Sequence, residues 1–111
     1  LFLYGNYTGD IMNFDMAAEM LDMDDIRTAS IVGADDVLSN KDAQVRRGVA
    51  GIFFMYKCAG ARAARMGTLE EVLAAAEKAK ENTRTAGFAL TPCVIPEIGH
   101  SNFTLWHGNP R

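Results

Sequence analysis

The chain has 111 residues, 49% of them hydrophobic, and a formal net charge of −3. That length allows one small domain, and that apolar fraction favours a packed core over disorder. The charge argues against a nucleic-acid surface, no apolar run approaches the roughly 20 residues of a membrane helix, and no basic segment precedes the strand-like first residues as a secretory signal would require.

Leu1 to Tyr4 is an apolar run ended by Gly5, the pattern of a buried parallel strand. From Ile11 to Met23 the spacing predicts a helix. Its expected inward stripe is Met12, Met16, Met20 and Met23, widened by Phe14, Ala17, Ala18 and Leu21, and Asp10 is its expected N-cap. Asp24-Asp25 breaks that helix, and Arg27 to Val32 predicts a second strand closed by Gly33. Ala34 to Gln44 is polar and predicts a surface loop. Val49, Ile52, Phe53, Tyr56 and Ala59 recur at helical spacing, so Val49 to Arg65 is expected to be a helix with Gly67 at its end. Thr68 with Glu71 forms a capping box that opens a third helix, expected to run to about Ala86 and close at Gly87. Phe88 to Leu90 predicts another strand, and Val94-Ile95, bracketed by Pro92 and Pro96, predicts extended chain.

Strands alternating with helices over so short a length predict βαβ units: an α/β fold with a parallel, doubly wound sheet and flanking helices. The chain opens inside an apolar run and stops on Pro110-Arg111, and reads as a piece of a larger, two-domain protein. Cys58 and Cys93 have no metal-ligand spacing and are expected to be free, buried thiols in a reducing cytoplasm.

Asp10 heads the candidates for chemistry. In the run Gly5-Asn6-Tyr7-Thr8-Gly9-Asp10 it stands at the carboxyl end of the first strand, the edge at which open α/β sheets bind ligands. Two readings are open: an N-cap that stabilises its helix by about 1 kcal/mol, or a carboxylate that serves as general base or hydrogen-bonds a polyol. Gly5 and Gly9 would let a ligand approach the backbone. His107, in Trp106-His107-Gly108-Asn109-Pro110, is a structural or a catalytic imidazole, and His100 a loop residue. Arg46-Arg47 is a solvated pair or a phosphate holder at a helix N-terminus. Asp24-Asp25 and Asp35-Asp36 lack metal-loop spacing and are expected to be solvated turns and caps. Neither GxGxxG nor GxxxxGK[ST] occurs, so a phosphoryl donor would have to bind elsewhere.

Several stretches together resemble the dihydroxyacetone (glycerone) kinase family in its substrate-binding domain. They are Gly5-Asn6-Tyr7-Thr8-Gly9-Asp10, Met12 to Glu19, Asp35-Asp36-Val37, Arg46-Arg47-Gly48-Val49-Ala50-Gly51, and Thr91-Pro92-Cys93 with Ile95-Pro96. They keep the family's order and span nearly the whole chain. The resemblance implies that residues 1–111 form part of a ketose-binding kinase domain that phosphorylates a terminal hydroxyl of dihydroxyacetone or a similar short ketose. It implies Asp10 as acid/base on the attacking hydroxyl, and His107 as the histidine that holds the substrate carbonyl as a hemiaminal. It further implies a homodimer, and a helical partner domain or subunit carrying ATP with magnesium or a phosphohistidine relay, so that this segment binds no cofactor itself.

Three departures accompany the resemblance. Many members have a lysine where this chain has Gly5, whereas an erythrulose (tetrulose) kinase-like branch has Tyr-Gly-Asn-Tyr, as here at Tyr4 to Tyr7. His107-Gly108-Asn109-Pro110 resembles the family's His-Gly-Glu-Pro-Gly with Asn for Glu, after a shortened connection from Phe103. The family's upstream glycine-rich substrate loop, with its own histidine, has no counterpart, so the segment alone is expected to be inactive. Relatives that bind dihydroxyacetone as transcriptional coactivators, without phosphorylating it, give the alternative of a ketose sensor; an inactive fragment is the third.

Overall fold

A computed structural model describes residues 1–101, 103 and 104. In chain order the elements are β1 (Phe2–Gly5), α1 (Thr8–Met23), β2 (Ser30–Gly33), α2 (Gly51–Ala63) and α3 (Leu69–Asn82). β1 and β2 pair in parallel, with Leu3 opposite Ile31 and Gly5 opposite Gly33. This is the expected α/β arrangement, because the pleat sends alternate side chains to opposite helical layers. On one face Tyr4 stacks on Phe14 of α1, with centroids 4.3 Å apart, and Phe2 leans on the same ring. On the other, Leu3 and Ile31 meet Met55 and Ala59 of α2 and Val72 and Ala76 of α3.

Several expectations need correction. α1 begins at Thr8 with Tyr7 as its N-cap, so Asp10 is the third helical residue and not the cap. Tyr7 is extended (φ −126°, ψ 136°), and its carbonyl accepts the Ile11 amide. The methionine stripe faces outward: Met12, Met16, Met20 and Met23 are 58–78% exposed. Ile11, Phe14, Ala18 and Leu21 are the half-buried side instead. Both stripes satisfy helical periodicity; the aromatic stack of Phe14 on Tyr4 sets the phase. β2 starts at Ser30 and includes Gly33. Cys58 and Cys93 are free but exposed, the inward side of α2 being taken by Gly51, Met55 and Ala59.

The helix ends also differ. α2 stops at Ala63, and its left-handed residue is Met66 (φ 56°), with the Gly67 amide returning to the Arg62 carbonyl. α3 ends at Asn82, short of Ala86. Thr83 turns extended there, the Arg84 guanidinium takes up carbonyls of the last turn, and Thr85 bridges to Asp36 in parallel. The pairing therefore falls at Thr85, and Phe88 to Leu90 forms no strand. Val94 pairs with Ser101 in an isolated antiparallel bridge.

The capping box of α3 is present in full: the Thr68 amide donates to Glu71 Oε2 at 2.9 Å, and the Glu71 amide to Thr68 Oγ1 at 3.3 Å. Thr68→Ala removes the side-chain half, and an N-cap exchange of this kind costs about 1 kcal/mol. The expected result is a modestly lowered urea midpoint with an unchanged slope. No shift in midpoint would mean that packing of Val72 and Ala76 alone holds this helix start.

Candidate functional site at the strand ends

Both strands end in glycine, and a third segment crosses them. A Cβ on Gly48 would lie 2.3 Å from the Gly33 carbonyl oxygen and 2.9 Å from the Gly5 Cα. Only a residue without a side chain lets the crossing chain lie against both strand ends at that distance. At Gly5 the space a side chain would need is filled by the Tyr7 ring and Ile52, at 2.9–3.0 Å. Gly5 is buried, and Gly9 is open on the surface of α1.

The turn leaving β1 is fastened to this crossing. The Asn6 amide donates to the Gly33 carbonyl at 3.0 Å, and its side-chain Nδ2 donates to the carbonyls of Gln44 and Arg46, both at 2.8 Å. The Tyr7 hydroxyl donates to the Gly48 carbonyl at 2.9 Å. Three residues later Asp10 stands exposed in the first turn of α1, and its carboxylate accepts no hydrogen bond among the described residues. An acid there is favoured by the unpaired amides of the helix start. Its oxygens remain free to accept a proton or a ligand hydroxyl.

Asp35 and Asp36 fasten the crossing from the β2 side. Both are 5% exposed, contrary to the solvated turn expected of them. Asp35 Oδ1 accepts the Val49 amide at 3.0 Å, and Oδ2 the Gly51 amide at 2.9 Å. Burial raises the Asp35 pKa, but the nearby Thr85 side chain and the hydrogen bonds from Gly51 and Val49 outweigh it and hold the carboxyl below its ordinary value. Asp36 pairs with Arg47 at 3.1 Å and accepts the Leu38 amide. The Arg46 guanidinium donates to the carbonyls of Asn40 and Lys41.

The sequence held a signal for Asp35 that local pattern reading missed. Ala50, the N-cap of α2, has no side chain that can cap, so the first amides of the helix need an acceptor from elsewhere in the chain. Asp35, 16 residues upstream, supplies it.

Beside the crossing, a cleft of about 490 Å³ is lined by Tyr7, Asp36, Arg47, Val49, Phe88 and Phe103 among others. A more apolar cavity of about 600 Å³ lies against β1, between Phe2, Phe14, Tyr56 and Leu69. Asp10 lines neither. The structure thus brings Gly5, Asn6, Tyr7 and Gly48 together at the carboxyl ends of the strands, with Asp10 on the adjoining helical turn. His100 lies in the last loop, its Nδ1 3.2 Å from the Ser101 carbonyl. His107 lies outside the described residues. Among the described residues there is no group of three or more His, Cys, Asp or Glu able to hold a metal, and no helix long and apolar enough to cross a membrane.

Residues 1–109 match the model of the Dak1 domain. Over 107 residues the chain is 45% identical to the dihydroxyacetone-binding subunit DhaK of a PTS-dependent dihydroxyacetone kinase from Listeria innocua, covering 95% of this chain and 32% of the relative. It is 40% identical to a D-erythrulose kinase from Mycolicibacterium smegmatis, covering 95% of this chain and 18% of the relative. An L-erythrulose kinase from Pectobacterium atrosepticum is 36% identical over 110 residues, 97% of this chain and 19% of that protein. The chain spans about a third of the length of the dihydroxyacetone-binding subunit and under a fifth of the erythrulose kinases. With a match over nearly all of its residues, the chain belongs to the Dak1 domain family.

Proposed function

We propose that this chain is the substrate-binding portion of a kinase that phosphorylates the terminal hydroxyl of dihydroxyacetone or a similar short-chain ketose. The observation that carries this reading is the similarity over nearly the whole chain to proteins named for dihydroxyacetone binding and for erythrulose phosphorylation. In this reading Asp10 takes the proton from the hydroxyl that attacks the γ-phosphate, at a turn whose position the Asn6 and Tyr7 hydrogen bonds fix. His107 holds the ketose carbonyl as a hemiaminal, and Gly5 belongs to the substrate-binding turn. ATP with magnesium, or a phosphohistidine relay, belongs to a helical partner domain or subunit, and the working assembly is a cytoplasmic homodimer. A coactivator that only senses the ketose has no use for a proton acceptor, so the presence of Asp10 favours the kinase.

The test is a coupled assay of the complete kinase with its phosphoryl donor on dihydroxyacetone, erythrulose and glycerol. Phosphorylation of the ketoses, with glycerol refused, is the expected result, because only a carbonyl forms the hemiaminal. Residues 1–111 alone are expected to release no ADP in response to a ketose. Glycerol turned over as well as the ketoses, or no ketose turned over at all, would overturn the reading.

A further inference from the structure

Asp35 is a buried, ionised group for which the proposed chemistry has no use. Its two oxygens are committed separately, Oδ1 to Val49 and Oδ2 to Gly51. The amide of Val49 and the carbonyl of Gly48 belong to one peptide group. That group's carbonyl accepts the Tyr7 hydroxyl at 2.9 Å while its N–H donates to Asp35 at 3.0 Å. A trans peptide is rigid, and its N–H and C=O point in opposite directions. The Gly48–Val49 peptide is therefore gripped from both sides, by Asp35 on the β2 side and by Tyr7 on the β1 side. Tyr7 is in turn the N-cap of α1, three residues before Asp10.

We propose that Asp35 is a positioning residue, which sets the place of Asp10 through the Gly48–Val49 peptide and the Tyr7 hydroxyl. The inference rests on the ketose-kinase reading for its consequence, and on these hydrogen bonds for its mechanism. Hydrogen bonds in such a chain polarise one another, so each end strengthens the other's hold. The fit leaves no slack, since a Cβ on Gly51 would lie 2.5 Å from Asp35 Cγ. A longer acid at position 35 would push the crossing away from the strand ends. Asparagine has the right size but presents an NH2 to one of two amides that both donate, so it keeps one tie and loses the other. Ionisation of Asp35 below its ordinary pKa fits a group that must accept at both oxygens.

The experiment compares Asp35→Asn, Tyr7→Phe and the double variant in the complete kinase. Misplacement of a reacting group by about 1 Å costs roughly 100-fold in rate. Each single variant is expected to lower kcat about 10- to 100-fold with the KM for the ketose within about twofold, because the displaced group acts on the attacking hydroxyl. The double variant should be no slower than the slower single, since both break the same relay. Amide hydrogen exchange is the second measurement. It should quicken at Asn6, Tyr7 and Ile11, the hydrogen-bonded amides of this turn, in both singles while α3 keeps its protection. Multiplicative losses in the double variant, or a kcat per folded molecule equal to wild type, would overturn the proposal. If Asp35→Asn does not fold, Tyr7→Phe still tests the relay from its other end. An inactive wild type whose variants nevertheless show the quickened exchange would sink the ketose-kinase reading and leave the positioning intact.

Discussion

Gly48→Ala is expected to leave little folded protein. The added Cβ would meet the Gly33 carbonyl oxygen at 2.3 Å, the Gly5 Cα at 2.9 Å and the Gly33 carbonyl carbon at 3.0 Å. All three are main-chain atoms of the two strands, so no rotamer change relieves the contact. Either the strand ends part or the crossing lifts. Lifting it breaks the Tyr7 and Asp35 hydrogen bonds to the Gly48–Val49 peptide, and moves the carbonyls that hold Asn6. Overpacking of this kind costs about 1–3 kcal/mol and more where backbone must move, and each stranded hydrogen-bonding group adds about 1–3 kcal/mol. The sum is a large share of the roughly 5–15 kcal/mol that holds a domain together.

Gly60→Ala is the control. It sits inside α2, where a Cβ meets nothing within 4 Å, and alanine in a helix interior is favoured over glycine by about 0.5–1 kcal/mol. Urea unfolding of the two variants should therefore move in opposite directions from wild type. A Gly48→Ala protein with a wild-type midpoint would mean that the crossing is not seated on the strand ends as described.

What could be read without coordinates follows the range of the interactions. The body of α1 and the Thr68–Glu71 box depend on neighbours within a turn, and their residues announce them; β1 pairs with distant β2 but is announced by its apolar run and closing glycine. Periodicity could not choose between the methionine stripe and the Phe14 side of α1, because both are apolar at helical spacing. The choice was made by Tyr4, on another element. Asp35-Asp36 looked solvated because Arg47, Val49 and Gly51, which pair with the two acids, lie 11 to 16 residues downstream. The end of α3 moved for the same reason: Thr85 pairs with Asp36 instead of continuing the helix. At the candidate site, the strand-turn-helix placement of Asp10 was legible from the glycines and the apolar run. The crossing that fixes it was not, since nothing local to Gly48 says that two distant glycines make room for it.

Asp10→Asn should separate chemistry from helix stability more cleanly than the sequence alone promised. Were Asp10 the N-cap of α1, its exchange would weaken the helix and blur any effect on turnover. Tyr7 holds that position, and Asp10 follows as an exposed third residue whose carboxylate holds no partner among the described residues. Loss of one charge near a helix N-terminus costs about 0.3–1 kcal/mol, too little to empty the folded state. General acid-base groups contribute about 10²- to 10⁴-fold to rate. In the complete kinase the variant should therefore bind ketose with nearly wild-type affinity, melt within a few degrees of wild type, and lose turnover by a factor in that range. Because the substitution keeps the shape and removes the proton acceptor, the loss should appear in kcat and kcat/KM alike. Turnover per folded molecule within tenfold of wild type would remove Asp10 from the chemistry and return it to the helix start. Loss of ketose binding itself would assign it to holding the substrate.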